Sequence, residues 1–465
     1  MELLQLYLTF FKLGLVNFGG GYAMLPLLEK ELVDKRGWTT TDELADYYAV
    51  GQCTPGAIAV NVSTMIGYKR KGIMGGIVAT LGFISPAFII IFLIATLLTS
   101  FADNKYVAHA LAGIRVVVFF LVLAAIIKLF KKSCKDIITK LIAIVVGILA
   151  ITVDVIPLYV YVIICGVLGV LINVIKEKKR SKEHTLQTND TKEEVSSMET
   201  EESRINNIET SETIEVPKKR LSGRIIGIIL GISTFVLLML VCTIVTIIKD
   251  NPIFFELYFQ FFKIGFLAFG GGLATIPFLK ELSELTGWFT KIDLANMIAV
   301  SESTPGAMGI NMSTYVGYQT IHNEFGNFFL SFLGSIISTL GLVTPSIIVI
   351  EIVALFLNKF KTNKWVNYVF YGLRAASVGL MIAALYSIFE IALMNNPHII
   401  SVFKDYFDGA SIKTFFPSLG DALNELFNWK NIAVGVIFGI TIFKYKKHPV
   451  LYIAIGALIG ILLWL

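Results

Sequence analysis

Runs of about 17 to 25 apolar residues recur along nearly the whole of this chain, the length that carries a helix across about 30 Å of hydrocarbon. No water satisfies backbone N–H and C=O groups in that layer, so only helices or a closed barrel can cross it. The runs lack period-2 alternation, which selects helices. Composition agrees: 55% of the 465 residues are hydrophobic and 16% are charged, a balance foreign to a water-soluble domain. The first run starts at Glu2 without a basic leader or a small-residue cleavage site and is expected to stay in the mature protein.

Hydropathy places spans near residues 3–28, 45–68, 73–100, 106–130, 137–153, 156–175, 223–248, 253–279, 295–318, 327–358, 365–393, 431–443 and 448–465. The expected fold class is an all-α polytopic membrane protein of about 13 transmembrane helices. Residues 1–175 form a first membrane repeat, and 176–222 a charged linker whose acidic, Ser- and Thr-rich stretch predicts disorder. A connecting helix follows over 223–248, then a second repeat over 252–465.

Internal repetition supports that division. Phe10-Phe11-Lys12-Leu13-Gly14 and Phe18-Gly19-Gly20-Gly21 return as Phe261-Phe262-Lys263-Ile264-Gly265 and Phe269-Gly270-Gly271-Gly272. Leu44 to Tyr68 aligns without a gap on Leu294 to Tyr318, sharing Thr54-Pro55-Gly56 with Thr304-Pro305-Gly306, and Asn61 with Asn311. Pro86 matches Pro345, and Gly113-Ile114-Arg115 matches Gly372-Leu373-Arg374. Seven spans separate equivalent points, an odd number, so the second copy is expected upside down relative to the first. Loop charge agrees, because positive residues mark cytoplasmic loops. Lys69-Arg70-Lys71 faces Gln319-Thr320-Ile321 in the second copy, whereas Lys444, Lys446 and Lys447 face the uncharged turn around Pro157. The N-terminus and linker are expected in the cytoplasm and the C-terminus outside.

Inverted repeats with interrupted helices are the plan of many secondary transporters, whose site lies where the interruptions meet near mid-membrane. The Phe-Gly-Gly-Gly and Thr-Pro-Gly stretches combine residues that free the backbone with one that removes a donor. Such breaks leave unpaired N–H groups and helix N-termini that hold an anion without a side chain; packing and kinking are the competing role of small residues. Lys12, Lys263, Arg115 and Arg374 lie about 14 Å inside spans, where charge is costly and usually functional. Snorkelling and ion pairing are the alternatives. Two symmetric pairs of cations point to an anionic substrate, and a guanidinium matches a tetrahedral oxyanion with forked donors. Copy two carries Glu302 where copy one has Gln52, and a buried carboxylate there is a candidate for proton coupling. Asn61, Asn311, Ser63 and Thr64 either line a pathway or bond across helices.

The net charge of +5 comes from short loops and reflects topology, so no nucleic-acid partner is expected. The five histidines and the cysteines Cys53, Cys134, Cys165 and Cys242 lack metal-ligand spacing. Neither a Gly-x-Ser-x-Gly turn nor a Walker loop is present, so an enzyme or an ATP-driven pump is not expected. No metal or cofactor is called for. A small inorganic anion and membrane lipid are the expected partners, with homodimerisation open.

Phe-x-Lys-x-Gly followed by Phe-Gly-Gly, then Gly-Trp (Gly37-Trp38, Gly287-Trp288), Pro-Gly and Gly-Tyr (Gly67-Tyr68, Gly317-Tyr318), repeated in two halves, resembles the chromate ion transporter family in its two-domain form. The resemblance covers both membrane units and spares the linker and the seventh span. It implies efflux of chromate, with sulfate as a chemically similar relative, through opposed repeats in the bacterial cytoplasmic membrane. The family's usual Phe-Gly-Gly-Pro and Pro-Gly-Pro read here Phe-Gly-Gly-Gly and Pro-Gly-Ala, departures that lie at the expected site. A passive anion channel and a carrier of a different small anion are the competing readings.

Overall fold

The computed structural model describes residues 2–17, 24–101, 104–153, 155–192, 251–355, 363–395, 415–445 and 447–465. The first glycine motif, Phe18 to Gly21, the connecting span 223–248 and most of the linker lie outside the described residues. The described chain forms sixteen α-helices and no strand beyond isolated bridges. Five helices are long and apolar enough to cross a membrane, which makes this an all-α, multi-pass membrane protein.

Several expected spans are pairs of shorter helices. The first separates into α1 (Glu2–Leu15) and α2 (Leu25–Leu28), which runs on through a π-helical turn at Glu29–Asp34. Its counterpart separates into α8 (Ile253–Leu267) and α9 (Thr275–Thr286). At 14 and 15 residues, α1 and α8 reach only about 21–23 Å, short of the about 30 Å hydrocarbon layer. The spans at 45–68 and 295–318 also divide, into α3 (Thr41–Gly51) and α4 (Ile58–Ser100), and into α10 (Lys291–Ser303) and α11 (Met308–Phe325). Helix α4 absorbs the next expected span across non-helical backbone at Lys71 and Gly72. The second copy makes the same bend as a separate turn, where Gly326 in the left-handed region closes α11 before α12 (Phe328–Leu355).

The remaining helices follow the hydropathy closely: α5 (Lys105–Ser133), α6 (Ile137–Thr152), α13 (Lys364–Leu393), α15 (Trp429–Tyr445) and α16 (Pro449–Leu463). Helix α7 (Leu158–Lys192) runs beyond the span expected at 156–175. An established apolar helix needs no new nucleus to propagate into the Lys- and Glu-rich residues that follow. Helix α14 (Phe415–Leu426) is a short segment outside the expected spans.

The two copies repeat one another's internal packing. A Cβ on Gly14 would collide with the Phe83 carbonyl, and one on Gly265 with the equivalent Leu342 carbonyl; Gly82 and Gly341 meet the carbonyls of Tyr7 and Tyr258 in the same way. Thr64 and Thr80 share a hydroxyl hydrogen bond of 2.6 Å, as Thr314 and Thr339 do at 2.8 Å. Between copies the packing is exchanged. Helix α5 of the first copy packs on α15 and α16 of the second, and its equivalent α13 packs on α6 and α7 of the first. Glycines make both exchanges possible: Gly113 lies against Gly456 and Gly460, and the matching Gly372 against Cys165 and Gly169.

Candidate functional site at the helix breaks

Each Thr-Pro-Gly break is built by local chemistry. Thr40 and Glu43 form a capping box that starts α3, and Thr290 and Asp293 do the same for α10. The helices stop before the prolines, and Gly56 and Gly306 turn the chain at φ +91° and +121°, backbone that a side chain would strain. Asn61 and Asn311 then brace the loops from the next helix. Asn61 Nδ2 donates to Thr54 Oγ1 at 3.0 Å and to the Pro55 carbonyl at 2.9 Å. Asn311 Nδ2 donates to Thr304 Oγ1 at 3.1 Å, and the two threonines donate onward to the Val50 and Val300 carbonyls. The free polar groups of a break inside an apolar protein are thereby satisfied from within.

The breaks also dock on the opposite copy. Gly56 donates its N–H to the Ala268 carbonyl at 3.0 Å, and Gly306 donates to the equivalent Asn17 carbonyl at 2.9 Å. Pro55 bridges Phe269 in antiparallel fashion. A Cβ on Gly56 would strike Ser346, and one on Gly306 the matching Ala87. The two glycine N–H bonds and the two glycine close approaches thus repeat on both sides.

A cavity of about 340 Å³ opens beside the second copy's breaks. Gly270, Gly271 and Gly272 form one wall, with Gly270 and Gly271 at φ +102° and +103°. A Cβ on Gly270 would meet nothing within 4 Å, and one on Gly271 only Ile58. Among the described residues no backbone carbonyl accepts from either N–H, and this loop lines the cavity just before the 3₁₀ turn Gly272–Ala274 that leads into α9. Thr304 and Gly306 form a second wall.

Three polar side chains complete the lining. Glu302, one residue before the end of α10, faces the cavity, and no hydrogen bond or ion pair holds its carboxylate among the described residues. Lys128 reaches the cavity from α5. Asn17, 2% exposed, lines it with both amide atoms buried and without a hydrogen-bond partner.

The four predicted cations lie elsewhere. Lys12 is exposed on α1. Lys263 stacks over the Tyr159 ring at 4.8 Å. Arg115 is half-buried and donates to Asn296 Oδ1 of α10 at 3.2 Å. Arg374 is exposed and contacts Cys53 just beyond α3. The cation at the cavity is Lys128, near the end of the span expected at 106–130. Lys132 lies one turn further along α5.

Position 17 carries a signal that motif matching passes over. Copy two has Ala268 where copy one has Asn17, and Glu302 where copy one has Gln52. These polar departures from the repeat converge on one cavity.

Together these features define a polytopic helical membrane protein of two internal copies, each with interrupted helices, and a cavity beside the second copy's breaks. The chain belongs to the chromate transporter family, which it matches over residues 4–170 and 255–461. An uncharacterized transporter of Methanocaldococcus jannaschii is 23% identical to it over 388 residues, 82% of this chain and 83% of that one. A chromate transport protein of Pseudomonas aeruginosa is 32% identical over 126 residues, 26% of this chain and 30% of the relative. A probable chromate transport protein of Synechococcus elongatus is 27% identical over 132 residues, covering 28% and 34%. No solved structure matches the chain.

Proposed function

We propose that this chain is a secondary carrier that moves a small inorganic oxyanion, chromate foremost and sulfate as a similar relative, outward across the cytoplasmic membrane. The observation that carries the reading is the cavity at the second copy's breaks, which Gly270 and Gly271, without backbone acceptors for their N–H groups among the described residues, line together with Asn17, Lys128 and Glu302. Backbone donors at a helix start with one ammonium suit an anion. A compact cavity with few convergent polar groups is the ordinary form of a small-ligand site. Membership of the chromate transporter family and the chromate transport named for two relatives support the substrate class.

In this reading the two copies are inverted, as span parity and mirrored loop charge favour, and alternating access is a rocking of one against the other. The first copy's motif, Phe18 to Gly21, is assigned to the same pathway on its sequence match to Phe269 to Gly272. Arg115 and Arg374 sit where each crosses to the other copy's broken hairpin, and they guide the anion along it. Glu302 carries the coupling proton, because its carboxylate lines the cavity without a hydrogen bond or ion pair among the described residues.

Purified protein in liposomes tests the proposal. Chromate flux should saturate with concentration and respond to an imposed proton gradient. Flux that rises linearly and ignores the gradient would identify a passive pore instead. Glu302→Gln should carry chromate with a flattened pH dependence, and an unchanged pH profile would remove Glu302 from the coupling role.

A further inference from the structure

We propose that Glu281 and Lys263 form a latch between the copies that holds shut a second mouth of the pathway, at Ser387, and that the carrier releases it to open on that side. This rests on the carrier reading above and names the contacts that separate its two states.

The internal repeat gives the open cavity a mirror position. Leu121, Ala125, Lys128 and Leu129 of α5 line that cavity. The match of Gly113 to Gly372 runs on without a gap, so their counterparts on α13 are Leu380, Ala384, Ser387 and Ile388. All four are buried, Ser387 at 4% exposed. There α13 seats on α9, with Ala384 and Ile388 beside Leu273 and Ile276. The same helix surface is thus open on α5 and closed on α13. Inverted copies in unlike conformations make a carrier open on one side of the membrane, and exchange of the two conformations opens the other.

Two contacts between copies accompany the closed side. Pro449, the first residue of α16, borders the open cavity. Gly456 and Gly460 meet Gly113 as Cys165 and Gly169 meet Gly372, which pairs Pro449 with Leu158, the first residue of α7. The Leu158 N–H donates to Glu281 Oε1 of α9 at 3.0 Å, so a carboxylate of the second copy caps a helix of the first, at the end where an acceptor and negative charge are favoured. One residue on, Lys263 of α8 stacks over the Tyr159 ring at 4.8 Å. The open side lacks the chemistry for either contact. Lys280-Glu281-Leu282 matches Lys30-Glu31-Leu32, but Glu31 is held by Lys35 at 2.9 Å and Arg36 at 3.2 Å, and Pro449 has no N–H to donate. Tyr159 matches Val450, which offers Lys12 no ring. The latch is therefore one-sided and favours the state seen here, open at Lys128 and closed at Ser387.

Opening at Ser387 can be followed directly. Ser387→Cys is combined with Glu281→Ala, Glu281→Gln or Lys263→Ala, and its modification by a thiol reagent is read at that position by mass spectrometry in the purified protein. Modification should be slow when Ser387→Cys is the sole change. It should be about tenfold or more faster with Glu281→Ala, the effect of losing a hydrogen bond to a charged group. Lys263→Ala should accelerate it less, and Glu281→Gln, which keeps an oxygen acceptor, should stay near the parent rate. Thr80→Cys, buried inside the first copy, should stay slow in every background. Equal rates at Ser387→Cys in all backgrounds overturn the latch, as does an acceleration that Thr80→Cys shares, which marks general loosening. Ala384→Cys is a second reporter, and it decides if melting in detergent shows that Ser387→Cys does not fold. Chromate flux in liposomes is measured alongside: no flux in wild type defeats the carrier reading, whereas flux with equal rates of modification defeats the latch alone.

Discussion

Lys128 shows how depth along a helix misleads about position in a site. Lys12, Lys263, Arg115 and Arg374 lie deep in apolar runs, yet one is exposed, one stacks on Tyr159, and the two arginines reach Asn296 and Cys53. A helix exposes a different face every hundred degrees, so depth without azimuth does not say what a charge faces. Lys128 lies nearer its helix end but on the azimuth of Leu121 and Ala125, which line the same cavity. Lys128→Gln is therefore expected to raise the concentration of chromate needed for half-maximal flux about 10- to 100-fold, the worth of a charge-assisted hydrogen bond. Lys12→Gln should leave it within about twofold, an ordinary surface change. Concentration series in liposomes check both.

At the scale of elements, the breaks are rigid loops held by named side chains. Asn311→Ala removes the buried donor that ties Thr304 and Pro305 to α11 and is expected to cost about 1–3 kcal/mol. A fall in melting temperature in detergent would show it, with Asn61→Ala behaving alike. A second joint lies outside the spans. Asp136 caps α6 and accepts from Lys176 of α7 and Tyr371 of α13. Burial would raise its pKa, but hydrogen bonds from Lys176, Thr139 and Tyr371 outweigh burial and hold the carboxyl well below the usual range. A depressed carboxylate stabilises the fold above its unfolded pKa, and that contribution is lost as the pH falls through the acid range. Wild-type melting should drop on acidification, and Asp136→Asn should begin lower at neutral pH and drop less. Equal pH slopes in the two proteins would contradict this. Exposure of the pair keeps the effect modest.

The whole molecule is two copies that complete each other, with α5 seated on α15 and α16, and α13 on α6 and α7. Gly113 and Gly372 sit where a side chain would strike the opposite copy. Neither half can bury these faces alone, so residues 1–222 and 223–465 expressed as separate chains should recover a folded complex only together. A half that folds alone would refute the interlock. Inversion has its own check: cysteines replacing Lys71 and Lys447 should both resist a membrane-impermeant thiol reagent in intact cells, while a C-terminal tag is reached from outside. The apolar runs, the internal repeat and the paired Gly and Thr-Pro-Gly breaks were legible in the amino-acid order, because membrane length, periodicity and backbone freedom are local properties. The sequence by itself therefore determined an all-helical membrane protein of two matched units with interrupted helices. Only the tertiary structure decided which residues meet. It separated the four predicted cations and brought Asn17, Lys128 and Glu302 to one cavity, because residues far apart in the chain become neighbours through packing directions that no local pattern encodes.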